Sequence, residues 1–403
     1  MSRNPDAANR NWAVSGLALS LLTPSLAVFH KYLGTIGVVT YVVVAILGLI
    51  SLIKYQSELA HVASKLTVKH VYSLAALTFF TTYVAFVAIY PIANSGVVGG
   101  GSDGDDALNI GTTQLLQGHY PYYYETYLRN PVVNLPGALV LAIPFVLLGN
   151  SAYQNLLLLP IFFAVMVSYL KDARAALGLL WTILVLSPIV LFLVITGSDH
   201  VSNSLYVFLL IFWLITSVSQ VNSNQGWQRI CSAILLGIGF SIRANFVLLL
   251  PLVFSAMRKN AGWQSAIKHT AITCFAFTLV TLPFFLYDPQ GFAPLRTADT
   301  LGQFEHLIPW AGIAIPLLTG ILAIVLAFFQ TSHHNFDVLL RNCAIVLALP
   351  VFCSVVLSSI EARAIDLQFA SYGVFYVFFG AVAFWPRLID LSKPQESMPT
   401  TPI

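Results

Sequence analysis

Residues 97–136 read VVGGGSDGDDALNIGTTQLLQGHYPYYYETYLRNPVVNLP, a long polar interval in a chain otherwise built from apolar runs. Three carboxylates, Asp103, Asp105 and Asp106, fall within four positions near its head, and Tyr120, Tyr122, Tyr123, Tyr124 and Tyr127 crowd its middle. The 403-residue chain is 58% hydrophobic and 9% charged, far below the roughly 25% charged share of soluble domains. A soluble globular protein is excluded. The composition predicts an all-α, polytopic integral membrane protein in which the spans position this loop and the loop carries chemistry.

A helix needs about 20 apolar residues to cross the hydrocarbon. Apolar runs at 12–29, 33–53, 70–93, 135–149, 151–170, 177–195, 201–219, 230–256, 267–286, 309–329, 340–358 and 367–386 predict about 11–13 spans. The chain divides into residues 1–69, two N-terminal spans and a cytoplasmic loop, then a catalytic transmembrane module over 70–386 whose outer loop is 94–134. Residues 387–403 read as a disordered cytoplasmic tail. Arg3 and Arg10 precede the first apolar run, and no small-residue cleavage site follows it, so a retained first helix is expected. Cys231, Cys274, Cys343 and Cys353 each lie in apolar runs without a CxxC, as small buried hydrophobes do.

Lys and Arg set orientation in membrane proteins. Arg3, Arg10, Lys54, Lys65 and Lys69 place the N-terminus and the 54–69 loop in the cytoplasm. Arg387 and Lys393 place the C-terminus there too, so the acidic loop is extracytoplasmic. Lys171 and Arg174 must then be cytoplasmic, so residues 135–170 cross an odd number of times. Either 135–149 or 151–170 is re-entrant or tilted. By the same parity 230–256 is a broken hairpin turning at Ser241-Ile242-Arg243-Ala244-Asn245. An Arg at mid-bilayer costs about 2.5–3.5 kcal/mol, so Arg243 should face a cavity or a partner.

The polar clusters have structural and chemical readings side by side. Ser102 or Asp103 could cap a short surface helix over 105–116, with Asp105 and Asp106 complementing its dipole. The three carboxylates could instead supply a general base, or Asp103 and Asp105 could hold a divalent cation, Mg or Mn. The tyrosines could form an interfacial belt. They could also wall a sugar site, with Tyr122 and Tyr127 against the ring and Glu125 and Arg129 as polar anchors. Asp199 and His200 begin a span, where a helix N-terminus suits an anion. Arg243 and Asn245 suit a phosphate, because the guanidinium donors can bind two oxygens at once. Nothing in the pattern points to nucleic acid.

The run Asp103-Gly104-Asp105-Asp106, then Gly118-His119-Tyr120-Pro121-Tyr122, then Thr126-Tyr127 and Pro131, resembles the GT-C superfamily of polytopic glycosyltransferases. It looks most like the mannosyltransferase and bacterial family-87 branches. Ser187-Pro188, Gly197-Ser198-Asp199 and Arg243-Ala244-Asn245 fall where those branches carry polar motifs. The sequence departs from the pattern after Tyr127, where Leu128-Arg129-Asn130 replaces an aromatic-basic run. The resemblance implies a polyprenyl-phosphate sugar donor, an extracytoplasmic site, an aspartate base with inversion, and a glycan, lipid or protein acceptor. A transporter or flippase of a polyprenyl-linked or anionic solute is the alternative, and a non-catalytic scaffold of the same fold is a third reading.

Overall fold

The computed structural model describes residues 5–95, 97, 102–219, 226–296, 301–330 and 336–388. Among them every regular element is helical, apart from one isolated bridge between Glu125 and Pro131. An apolar chain favours this because a helix satisfies its own backbone where no water can. In order the α-helices are α1 Pro5–Leu22, α2 Leu26–Lys54, α3 Gln56–Lys65, α4 Val68–Ala93, α5 Gly104–Leu116, α6 Pro136–Leu147, α7 Tyr153–Leu170 and α8 Ala173–Leu186. They continue as α9 Pro188–Ile195, α10 Asp199–Ser219, α11 Gly226–Phe240, α12 Ala244–Val247, α13 Leu250–Tyr287, α14 Ala311–Phe329, α15 Phe336–Ala362 and α16 Val374–Leu388.

Eight stretches are long and apolar enough to cross a membrane, or nine if a bent pair counts as a span. That is fewer than the 11–13 expected, and two glycines account for much of the difference. Asn11–Lys54 and Ala244–Tyr287 each run 44 residues. If straight they would be about 66 Å long, twice the hydrocarbon thickness. Each is interrupted by a glycine of positive φ, Gly34 at 62° and Gly262 at 80°, a backbone state that glycine adopts without strain. Phe29 and Tyr41 stack with ring centroids 4.3 Å apart. A straight helix would separate residues twelve apart by about 18 Å, so the chain folds back at Gly34. At Gly262 the return is marked by Trp263, whose ring lies 5.9 Å from that of Phe254 and 4.9 Å from the Arg258 guanidinium carbon.

The run expected as one span at 177–195 is two helices, α8 and α9, bent by 83°. Pro188 sits at the first position of α9, where its missing N–H is harmless but continuation from α8 is blocked. Of the two segments in 135–170, α7 has span length and α6 is a 12-residue apolar helix. The start of α6 rests on the 241–242 turn, with Leu135 N–H donating to Ile242 O and Gly137 N–H to Ser241 Oγ. Just beyond its end, Asn150 reaches Asn109 and Tyr90. Both ends of α6 therefore lie near the acidic loop. The hairpin expected over 230–256 is present as α11, a break at Ser241–Arg243, α12 and the first part of α13.

The N-terminal helices share with the rest of the chain one apolar core that runs from Ala13 to Leu388. Helix α1 lies antiparallel along α16, with Gly16 against Phe384, and Pro24 against Gly373. Tyr372 and Phe375, at the start of α16, touch His200. The far ends of α1 and α16 therefore lie away from the acidic loop. Arg174 at the start of α8 bonds Leu66 O at that far end, with Lys65 and Lys69 flanking Leu66. The protein thus has an acidic end and a basic end. The tail from residue 389 lies outside the described residues.

Gly137 is where the acidic end is packed most tightly. An added Cβ would meet Ile238 O at 2.2 Å and Ser241 O at 2.5 Å, both backbone atoms that cannot rotate away. Gly137→Ala is expected to destabilise the protein by about 1–3 kcal/mol or more. Gly226→Ala, with nothing near its would-be Cβ, should stay within about 0.5 kcal/mol. Thermal unfolding of the two variants in detergent checks this.

Candidate active site

The site is built where five segments meet: the end of α4, the start of α5, the loop before α6, the start of α10, and the 241–245 turn. Asp199 opens α10 and is 2% exposed. Its Oδ2 accepts from Arg243 Nη2 at 2.9 Å, Asn134 Nδ2 at 2.8 Å and Asn203 Nδ2 at 2.8 Å. Asn203 is four residues on, so it shares the Asp199 face of the helix. The positive end of the α10 dipole adds to the stabilisation of the carboxylate. Across the gap, an added Cβ on Gly104 would meet Asp199 Oδ1 at 2.6 Å. A glycine is needed there so that the head of α5 can lie against Asp199.

That contact brings the loop carboxylates beside the ion pair. Asp103 is within electrostatic reach of both Arg243 and His200. None of the three carboxylates makes a simple cap. Asp103 stands at the N-cap position without a capping bond. Its Oδ2 instead accepts from Thr126 Oγ1 at 2.9 Å and Asn130 Nδ2 at 2.7 Å. Asp106 Oδ2 accepts the Tyr127 N–H at 2.9 Å. Asp105 turns inward, 1% exposed, and its Oδ2 accepts from Tyr90 Oη at 2.5 Å and Asn94 Nδ2 at 3.0 Å. Burial lifts its pKa to about 6, against the lowering pull of those two donors.

The three carboxylates therefore differ. Asp103 is partly exposed and anchored through one oxygen, while Asp105 is enclosed. The Oδ2 atoms of Asp103 and Asp105, the pair expected to hold a divalent cation, are engaged by different donors. Among the described residues no three His, Cys, Asp or Glu side chains are grouped to hold a metal ion.

A cavity of about 220 Å³ adjoins the ion pair, lined by Arg243, Asn245, Arg296, Tyr372 and Phe375 among others. The Arg243 side chain is 17% exposed, its guanidinium carbon lies 5.6 Å from the Phe375 ring centroid, and its Nε is buried without a partner. Asn245 Oδ1 and His200 Nε2 are likewise buried and unpartnered. His200 Nδ1 is 2.7 Å from Ser198 Oγ, and its ring packs on Tyr372 and Phe375. Polar atoms without partners beside a cavity are suited to a ligand with both donors and acceptors.

The tyrosines divide. Tyr122 is 5% exposed and donates its hydroxyl to Asn134 O, so its ring belongs to the protein interior and not to an open wall. Tyr120 donates to Phe284 O and Tyr123 to Asp288 Oδ2, tying the loop to the end of α13. Asp288 is held below the usual carboxylate range by the Gly291 N–H and then by Tyr123. Tyr127, Glu125 and Arg129 are exposed, and Arg129 adopts a left-handed backbone with φ 60°. They sit on the strip that grips Asp103 and Asp106, but they do not line the cavity.

Residues that the sequence reading passed over complete the site: Tyr90, Asn94, Asn134, Asn203, Tyr372 and Phe375. Asn203 could have been found from its spacing to Asp199. Tyr90 and Asn94 had no signal beyond their place at the end of a span. No family model, curated protein or solved structure matches the chain.

Two outcomes check this geometry. Asp199→Asn strips a buried guanidinium of its counter-ion and is expected to cost about 3–5 kcal/mol. The double variant Asp199→Asn with Arg243→Met should recover much of that in thermal unfolding. Asp105 titrates at about 6 in the folded chain and near 3.8 unfolded. Its protonated form suits the buried position, so its contribution to stability falls as pH rises from about 4 to 6. The stability of Asp105→Asn relative to the parent should therefore be about 1 kcal/mol more favourable at pH 7.5 than at pH 5. A difference that does not vary with pH contradicts the burial.

Proposed function

We propose that the protein is a membrane glycosyltransferase that moves a sugar from a polyprenyl-phosphate donor to a hydroxyl acceptor at its acidic end. The observation that carries this reading is that Asp103 lies within electrostatic reach of Arg243. Arg243, with its Nε unpartnered, lines the cavity, and the partly exposed Asp103 lies behind it, next to Gly104, whose would-be Cβ reaches the Asp199 carboxylate that Arg243 holds. Phosphate at one side and a proton acceptor at the other is the arrangement that displacement at an anomeric carbon requires.

In this reading the donor phosphate lies against Arg243, with Arg296 and Asn245 beside it, and the prenyl tail follows the apolar cavity wall. The acceptor oxygen attacks the anomeric carbon as the bond from that carbon to the phosphate oxygen breaks. The acceptor proton passes to Asp103, and polyprenyl phosphate leaves, its charge met by Arg243. A single displacement inverts the anomeric centre. Asp103 is favoured over Asp105 as base because Asp105 is enclosed and spoken for by Tyr90 and Asn94. Asp105 and Asp106 shape the loop, and no step is routed through a metal ion. In this reading the Lys and Arg bias of cytoplasmic loops turns the basic end, with Lys65, Lys69, Lys171 and Arg174, to the cytoplasm, and the cavity opens on the extracytoplasmic side.

The test uses purified protein with a polyprenyl-phosphate sugar and a hydroxyl acceptor. Asp103→Asn is expected to fold and to lose about 10²–10⁴-fold in kcat, while Asp105→Asn loses less than tenfold. Parent activity should release free polyprenyl phosphate in step with product. Full activity in folded Asp103→Asn, or donor movement across a vesicle without cleavage, contradicts the proposal.

A further inference from the structure

At the basic end a groove of about 350 Å³ opens between α2, α3, α4, α8 and α16. Helix α3 is only ten residues long and bridges α2 and α4, leaving a gap that none of the described helices fills. The walls are apolar along their length: Leu52, Leu59, Val71, Trp181 and Val185, with Trp385 also lining the groove. Trp385 is 2% exposed and donates its Nε1–H to Thr182 Oγ1, and Trp181 donates to Thr78 Oγ1. The indole N–H groups are therefore satisfied within the protein, and the rings present carbon to the groove.

Among the described residues, Arg174 is the one charged side chain lining this groove. Its Nε and Nη2 both donate to Leu66 O, at 3.1 and 2.8 Å, and its own N–H is capped by Asp172 Oδ1 at 2.9 Å. This fork fixes the guanidinium where α3 gives way to α4. Lys54 ends α2, Lys65 ends α3, Lys69 lies in the first turn of α4 and Lys171 precedes α8. Against these five cations the same helix ends carry Glu58 and Asp172. A slot that is hydrocarbon along its length and cationic at one end has the shape of an amphiphile with an anionic head.

We infer that this groove is a binding site for an anionic glycerophospholipid, with one acyl chain lying in the slot and the phosphate on Arg174 within the lysine cluster. Each Lys or Arg near an anionic headgroup adds to the attraction, so net charge, not chain length alone, selects the lipid. The site does not depend on the chemistry proposed for the acidic end. Its occupant closes the gap between the N-terminal hairpin and α8.

The experiment follows thermal unfolding of the full chain in neutral detergent during titration with phosphatidylglycerol or with phosphatidylcholine of the same chains. Phosphatidylglycerol is expected to raise Tm by a few degrees, with half-effect at about a tenfold lower concentration than phosphatidylcholine. Arg174→Gln keeps a donor for Leu66 O and should erase that tenfold preference. Gly48→Leu places a side chain in the slot, where a Cβ meets only Leu186 Cδ2 at 3.5 Å; it should blunt both lipids. Lys65→Gln with Lys69→Gln serves if Arg174→Gln does not fold, and should weaken the preference in part. Equal response of the parent to the two lipids overturns the inference, as does an undiminished phosphatidylglycerol effect in Gly48→Leu. A polyprenyl phosphate that stabilises where phosphatidylglycerol does not overturns it as well.

Discussion

The buried pair of Asp199 and Arg243 is the constraint on which the acidic end depends. Such a pair is not in itself a source of stability, since removing two charges from water costs as much as their attraction returns. Its consequence is positional. One carboxylate oxygen collects Arg243, Asn134 and Asn203, so the 241–245 turn, the entry to α6 and the first turn of α10 are held at one point. Neutralising either charge leaves the other unmatched in a place water barely reaches. Gly104 then lets α5 approach the carboxylate, and with α5 come Asp103, Asp105 and Asp106.

From that point outward the packing is mutual. Helix α6 lies across the acidic end because both of its ends are tied there, one to the 241–242 turn and the other through Asn150 to Asn109 and Tyr90. The same Tyr90 reaches Asp105. A carboxylate placed two residues from Asp103 is thereby converted into part of the scaffold, while Asp103 keeps an exposed face. Neighbouring residues of one type take different roles because one is enclosed in the protein interior and the other keeps partial exposure.

Much of the architecture was legible because hydropathy has a length scale set by the bilayer. Span-length helices fall at α4, α7, α10, α14 and α15 close to their apolar runs. The break at 241–243 was legible too, from charge parity and the unlikelihood of an isolated arginine in hydrocarbon. The fold-backs at Gly34 and Gly262 were less so. A glycine in an apolar run carries no mark of its sign of φ until neighbours such as Phe29 and Tyr41 are seen together. The bend at Ser187–Pro188 could have been read from the proline, but hydropathy runs straight through it. The tyrosine run hid which ring is inside. Pro121 breaks any helical period there, so Tyr122 and Tyr123 look alike in sequence and differ only in what lies behind them. Asn134 on Asp199 and Asn94 on Asp105 come from other segments, and only their assembly shows them as partners.

The most direct test is a structure of the protein bound to a polyprenyl-phosphate sugar, read for the position of the phosphorus. The account predicts phosphate oxygens within hydrogen-bond distance of the Arg243 guanidinium, about 3 Å, with the sugar between it and Asp103. Phosphate bound at the basic end, or lipid lying between Arg243 and Asp103, would contradict it.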